Sequence, residues 1–195
     1  PGILAAGVLV AALTEFGALY DSLPDGWGRK LLDQFLQKAS VDFRTLTPLD
    51  RLTYVGCGGM GALTYHPEKK IQEDGGALDL DWLAAQAELV QREVETAHVE
   101  KLLGAQGGSA GVRPKIVVAL NARTGTAIYD AGRGEAPPGF EPWLVKFRSP
   151  EDSPEIGAEE FAYALMAQSA GIEMPQTQLI KTREGGYFAT KRFDR

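Results

Sequence analysis

The order of elements in the second half of the chain constrains the fold more than any other feature. After residue 113, three runs rich in β-branched and aromatic residues are followed by one long helical run and then by two more strand-like runs. The strands are predicted at 114–120, 125–131, 143–149, 176–182 and 186–193, and the helix at 153–172. In this helix, the apolar stripe is expected to consist of Phe161, Leu165 and Met166. The order β-β-β-α-β-β predicts an α+β fold.

The first part of the chain, by contrast, is predicted to be mostly helical. Residues 21–38 open with turn and cap residues and then place four apolar side chains at helical spacing, namely Trp27, Leu31, Phe35 and Leu36. Thr47 followed by Pro48 is typical of the start of a second helix. A third is expected to begin at Asp79 and to continue in some form to Leu103, with an inward face of Trp82, Ala85, Leu89 and Val90. Four glycines within 55–61 break this helical part at its middle.

Composition limits the class of protein. The chain of 195 residues is 44% hydrophobic, enough for a real core, and its net charge of −6 gives no sign of a nucleic-acid footprint. A single cysteine, Cys57, excludes an internal disulfide and fits a cytoplasmic location. The apolar stretch 3–13 is shorter than the roughly 20 residues of a membrane-spanning helix, so we expect core rather than membrane there. His66 and His98 lie far apart without other metal ligands nearby, so no metal site is expected.

A glycine-rich loop lies directly before the first predicted strand of the second half. Gly104, Gly107, Gly108 and Gly111 fall within eight residues, with Ser109 among them. Such a loop either makes a tight turn or lets backbone amides approach a phosphate. The spacing matches neither GxxxxGK[ST] nor GxGxxG, so it leaves both possibilities open.

Lys146 in the third strand is the main candidate for chemistry. The helix that follows it carries Glu159 and Glu160, and a strand lysine steadied by a glutamate on the next helix is the arrangement that protein kinases use to hold ATP phosphates. A strand lysine that only extends its ammonium group into water is the alternative. Arg113 and Lys115 beside the loop could also pair with phosphate, although solvated loop charges are the commoner case.

Five blocks of the sequence resemble, in order, those of the HipA family, the serine/threonine kinase toxins of bacterial toxin–antitoxin systems. The blocks are SLPDGWGRKLLDQFL, LTPLDRLTYVGCGGMGAL, GGSAGVRPK, WLVKF and ATKRFDR. They run from about residue 20 to residue 195, and the resemblance identifies the chain as the N-terminal portion of such a protein. It implies a HipA-type N-terminal subdomain over 1–103 and a protein-kinase-like N-lobe over 104–195 that binds ATP and ends at the hinge between lobes.

The resemblance also implies roles for particular residues. Gly107, Gly108, Ser109, Ala110 and Gly111 would form the ATP-binding loop, and Ser109 would be the autophosphorylation site. Lys146 would contact the ATP phosphates and Glu160 would be its helix partner, with Glu159 close enough to leave the choice open. Lys191 and Phe193 in the hinge would border the adenine.

The family's partners and the residues absent from this chain follow from the same resemblance. It implies ATP and Mg²⁺ as cofactors, a protein substrate such as an aminoacyl-tRNA synthetase, and a small DNA-binding antitoxin (HipB-like) as partner. The catalytic and metal-binding aspartates belong to a C-terminal catalytic lobe after the hinge, so we expect this chain to be inactive by itself. A second hypothesis is a non-catalytic binding module, or a split-gene subunit, that docks an antitoxin or a separate kinase lobe.

Overall fold

A computed structural model describes most of the chain. The described residues are 17–69, 71, 76–105, 111–121, 123–129 and 136–194. The apolar stretch 3–13 lies outside them. Within these ranges, no helix is both long enough and apolar enough to cross a membrane.

The centre of the fold is an antiparallel sheet of six strands. In chain order the strands are β1 (Ala77–Leu78), β2 (Lys115–Asn121), β3 (Thr126–Tyr129), β4 (Glu141–Lys146), β5 (Thr177–Lys181) and β6 (Gly186–Lys191). Their spatial order is β1-β3-β2-β4-β6-β5. The two central strands pair with Lys115 opposite Lys146 and Val118 opposite Trp143. The α+β class is confirmed, and so is the predicted order of elements after residue 113.

Six α-helices accompany the sheet in the described residues. They are α1 (Gly17–Asp21), α2 (Gly26–Lys38), α3 (Pro48–Val55), α4 (Leu80–Gln91), α5 (Val99–Ala105) and α6 (Ile156–Ser169). The predicted start of α3 is confirmed, because the Thr47 hydroxyl accepts from the Asp50 amide while the Asp50 carboxylate accepts from the Thr47 amide. The glycine-rich break is also confirmed, since α3 ends at Gly56 with a positive φ of 54°.

The two faces of the sheet are covered differently. Alternate side chains of β2 and β4, including Ile116, Val118, Trp143 and Val145, share one core with α2, α4 and α5. Lys146 alternates to the other face, where α6 packs on β5 and β6. One core thus joins residues from both sides of the boundary predicted at 103/104, and the division into two domains stays a prediction.

Helix α6 begins in very close contact with the β5–β6 hairpin. A Cβ built at Gly157 would clash with the Gly186 carbonyl oxygen, and it would also crowd the Phe188 amide. Both neighbours are backbone atoms that cannot rotate away. Glycine at 157 therefore lets the helix and the hairpin touch.

Two predicted helix faces were only partly right. In α4 the buried residues are Leu80, Leu83, Ala87 and Val90, so the prediction holds for Val90 but not for Ala85, which is exposed. In α6 the buried residues are Gly157 and Ala164, while Leu165 and Met166 are 45% and 64% exposed. The predicted third helix is also two helices, because α4 ends at Gln91 and α5 starts at Val99.

Candidate functional site

The candidate site lies on the face of the sheet that carries Lys146. The Lys146 ammonium group is 3.1 Å from Oε2 of Glu160 on α6, and it also lies 5.3 Å from the centre of the Phe188 ring. Glu160 is largely buried, whereas Glu159 is exposed. Of the two glutamates left open by the sequence, Glu160 is the one that pairs with Lys146.

Arg113 binds the same glutamate from the other side. Its guanidinium group donates to Glu160 Oε1 at 2.9 Å and to Asp152 Oδ1 at 2.8 Å. Glu160 therefore holds two cations, one on each carboxylate oxygen, and Arg113 links α6 to the turn before it. The Arg113 side chain is thus ion-paired to two carboxylates while it remains 42% exposed.

Lys115 brings a further positive charge to this face. It lies directly opposite Lys146 in the β2–β4 register, so both side chains leave the sheet on the same side. Lys115 is only 8% exposed. Burial lowers the pKa of its ammonium group, and the neighbouring charge of Lys146 lowers it further. The interpretation of Lys115 as a solvated loop charge is wrong. A buried lysine whose pKa is shifted by burial and by a second lysine is a candidate member of a functional site.

The predicted ATP-binding loop is described only at its end. Gly107, Gly108, Ser109 and Ala110 lie outside the described residues. Gly111 is described, and its φ of +107° is one that side-chain-bearing residues rarely adopt. A Cβ at Gly111 would lie 2.7 Å from the Lys115 ammonium nitrogen, so glycine there leaves room for this lysine.

The structure does not bring the predicted hinge side chains to the Lys146 face. Lys191 lies opposite Trp143 in the β4–β6 register, on the face that packs into the core, and its ammonium group binds Glu141 at 2.6 Å. Phe193 follows the last strand and is 85% exposed. Their predicted role beside an adenine stays a prediction.

Sequence reasoning missed a buried ion pair next to the predicted hinge. The side chain of Arg192 is 1% exposed and donates to both carboxylate oxygens of Asp194, at 2.9 and 2.7 Å. Asp194 Oδ2 also accepts from the Gly61 amide at 2.6 Å. This cluster, the Arg192–Asp194–Gly61 clamp, ties the end of the sheet to the glycine-rich break after α3. Neighbouring charges at 192 and 194 were visible in the sequence, but their partner 133 residues away was not.

Asp194→Asn is expected to lower the free energy of unfolding at neutral pH. Hydrogen bonds from Arg192 lower the pKa of Asp194 from 3.8 to about 2, which corresponds to about 2 kcal/mol of stability. Because the folded-state pKa is the lower one, this stability is present above pH 4 and is lost as the pH falls toward 2. Urea unfolding at pH 7 and at stepwise lower pH measures it. A difference between wild type and variant that does not shrink with falling pH would contradict the assignment.

Two further residues from the sequence, Cys57 and His66, lie near each other. Cys57 Sγ and His66 Nε2 are 3.9 Å apart, a weak contact near the glycine-rich break. Within the described ranges, no group of three or more histidine, cysteine or acidic side chains is arranged to hold a metal ion.

A cavity of about 280 Å³ adjoins the Lys146–Glu160 pair. It is lined by Arg113, Lys146 and Glu160, by residues of the β5–β6 turn and by residues of α4 between Asp81 and Glu88. The pair is therefore open to solvent-sized molecules from this side.

Comparison with known proteins adds to this geometry. Residues 107–195 match a family model described as the HipA-like C-terminal domain. Over these residues the chain is similar to the HipA family. Neither a curated protein nor a solved structure matches the chain.

The HipA match confirms the family and corrects one detail. The sequence resemblance assigned the whole chain to the N-terminal portion of a HipA protein, but the matching segment belongs to the family's C-terminal domain. The segment that matches the family model, which we call the HipA segment, begins at Gly107 in the glycine-rich loop. It contains Lys146, Glu160 and the Arg192–Asp194 pair.

Proposed function

We propose that this chain is the ATP-binding part of a HipA-like serine/threonine protein kinase toxin. The observation that carries the proposal is the Lys146–Glu160 pair, 3.1 Å apart, with Lys115 opposite Lys146 on the same face. A strand lysine held by a helix glutamate is the arrangement by which protein kinases position the phosphates of ATP. A kinase-like N-lobe around this pair is part of the proposal.

The residues present fit a polyphosphate. Lys115 and Lys146 place two ammonium groups on one face of the sheet, and Lys115 is only 8% exposed. ATP would be held there by Lys146, with Glu160 keeping the lysine in place and the loop around Gly111 beside the phosphates. Mg²⁺ would arrive with the nucleotide, and its protein ligands are expected outside this chain.

The finer parts of the proposal rest on family membership. HipA proteins work in toxin–antitoxin pairs, so we propose a small DNA-binding antitoxin (HipB-like) as partner and a protein substrate such as an aminoacyl-tRNA synthetase. Ser109 as the autophosphorylated residue and a cytoplasmic location belong to the same proposal.

A second candidate function is a binding module without chemistry. It is favoured by the exposed apolar residues of α6, where Tyr163 is 70% and Met166 is 64% exposed. Exposed apolar side chains grouped on one helix are typical of surfaces that bind another protein. A binding module of this kind has no need for nucleotide affinity.

Calorimetric titration of the chain with ATP and Mg²⁺ distinguishes the two functions. We expect weak but saturable binding at one site, and competition by ADP and by inorganic tripolyphosphate, because the contacts are to phosphates. Adenosine, which lacks the phosphates, is the matched control and should bind far more weakly. Absence of heat with millimolar ATP, from a protein that unfolds cooperatively, would overturn the ATP-binding proposal and favour the binding module.

This chain alone is expected to transfer no phosphate. Asp194 in RFDR is the tempting candidate for a catalytic base, but its carboxylate is already bound by Arg192 and Gly61, and its pKa of about 2 makes it a poor proton acceptor. Incubation with radiolabelled ATP, Mg²⁺ and candidate protein substrates should give no label above a blank without the chain. Incorporation that Asp194→Asn abolishes would make Asp194 the base.

A further inference from the structure

The start of α2 makes three hydrogen bonds to the segment between the glycine-rich loop and β2. Asp25 Oδ1 accepts from the Gly111 amide at 2.9 Å, and the Trp27 amide donates to the Gly111 carbonyl at 3.0 Å. The Trp27 indole nitrogen donates to the Lys115 carbonyl at 3.1 Å. These contacts, which we call the α2 brace, join residues more than 80 positions apart in sequence.

The residues of the α2 brace are closely packed. A Cβ built at Gly26 would lie 2.6 Å from the Gly111 carbonyl oxygen, so only glycine lets the two backbones meet. Trp27 is fully buried, and its ring cannot change rotamer without opening the core. The brace therefore fixes both ends of the five-residue segment 111–115.

That segment sets the position of the cations in the candidate site. Arg113 binds Glu160, and Lys115 lies opposite Lys146. A shift at Gly111 or at the Lys115 carbonyl would move these side chains relative to Lys146 and would move the end of the glycine-rich loop with them. Small displacements of groups that hold a ligand are costly.

Asp25 is not needed for the helix itself. It occupies the N-cap position of α2, but its side chain makes no capping hydrogen bond there, and its carboxylate is directed to Gly111 instead. An aspartate at this position usually accepts from amides of its own helix. Its use on a distant segment points to a role outside α2.

We infer that Asp25 and Trp27 are positioning residues for the nucleotide, which hold the base of the glycine-rich loop and the strand of Lys115 in the geometry that binds phosphates. The inference rests on the proposed ATP-binding function. It assigns to the helical first part of the chain an indirect role in ligand binding, through backbone groups of Gly111 and Lys115.

Four variants of the full chain test the inference. Asp25→Ala and Trp27→Phe each remove one hydrogen bond of the brace, and we expect ATP to bind about three- to tenfold more weakly to each. Asp25→Asn keeps an oxygen that can accept from the Gly111 amide and removes a negative charge that acts on Lys115, so it should bind ATP no more weakly than the wild type. Asp21→Ala removes an exposed aspartate four residues earlier and is the matched control.

Hydrogen exchange of the nucleotide-free protein gives a second readout. The Gly111 amide should exchange several times faster in Asp25→Ala than in wild type and Asp25→Asn, while core amides of β2 keep their protection. Rescue by Asp25→Asn separates positioning from general destabilisation.

The outcomes separate this inference from the proposed function. ATP affinity within twofold of wild type in both Asp25→Ala and Trp27→Phe would overturn the inference and leave ATP binding standing. No ATP binding by the wild type would overturn the proposed function and the nucleotide role of the brace with it. Unchanged exchange at Gly111 in Asp25→Ala would overturn the brace itself, whatever the nucleotide result.

Discussion

Lys146→Ala is expected to weaken ATP binding by about 10- to 100-fold, the loss typical of a hydrogen bond to a charged group. The variant removes the ammonium group that Glu160 holds at 3.1 Å. Glu160 is not left as an isolated buried charge, because Arg113 still donates to its other oxygen at 2.9 Å. The fold should therefore survive the substitution, and the change in affinity can be measured by calorimetry on a folded protein.

Lys181→Ala is the matched control for Lys146→Ala. Lys181 ends β5 on the same sheet but is exposed, so its removal changes the net charge equally. We expect its ATP affinity to stay within twofold of wild type at moderate salt. Equal affinities in Lys146→Ala and wild type would remove Lys146 from the proposed site.

Trp143→Ala is expected to lower the free energy of unfolding by about 3–5 kcal/mol, the usual cost of truncating a large buried aromatic residue. Trp143 is fully buried in β4, between β2 and β6, in the core that the sheet shares with α2, α4 and α5. Urea unfolding followed by circular dichroism measures the change.

Trp143→Phe provides the comparison. The indole nitrogen of Trp143 has no hydrogen-bond partner among the described residues, so phenylalanine removes a buried donor without leaving an acceptor unpaired. It should cost far less than alanine. A loss as large as that of alanine would mean that the indole nitrogen has a partner and that the packing account of Trp143 is wrong.

The sequence predicted those elements whose signals are local. Thr47, Pro48 and Asp50 start α3 through contacts within four residues, and period-two alternation in 143–147 marks β4. The order of strands and helix after residue 113 followed from the same local patterns. Lys146 and Glu160 could be predicted because a strand and the helix after it are adjacent in space.

The prediction of which helix face is buried failed where local patterns are ambiguous. Helix α6 is apolar on nearly all sides, so several stripes fit the spacing equally well. What decides the buried face is the close approach of Gly157 to Gly186, which places small residues inward and leaves Leu165 and Met166 outward. The same holds for α4, whose inward side depends on contacts with α2 and α5.

The parts of the site that the sequence could not predict depend on distant pairs. Asp194 binds Gly61 across 133 residues, and Trp27 binds Lys115 across 88. No periodicity or spacing relates such residues, because their meeting depends on how α2 and the break after α3 pack on the sheet. Burial of Lys115 was missed for the same reason.

The contact of Gly157 with the β5–β6 hairpin is a point about which α6 could pivot, and we call it the fulcrum. Backbone atoms meet there without an intervening side chain, so any tilt of the helix on the hairpin would turn about this point. Glu160 lies three residues from the fulcrum, or about 4.5 Å along the axis, whereas Ser169 lies about 18 Å away at 1.5 Å per residue. A tilt that moves the far end by 4 Å would thus displace the Glu160 backbone by only about 1 Å. A protein that binds the exposed far half of α6 and tilts the helix would therefore displace the Glu160 backbone by only about a quarter of the distance that the far end moves. Its effect on the Lys146–Glu160 distance would be correspondingly small.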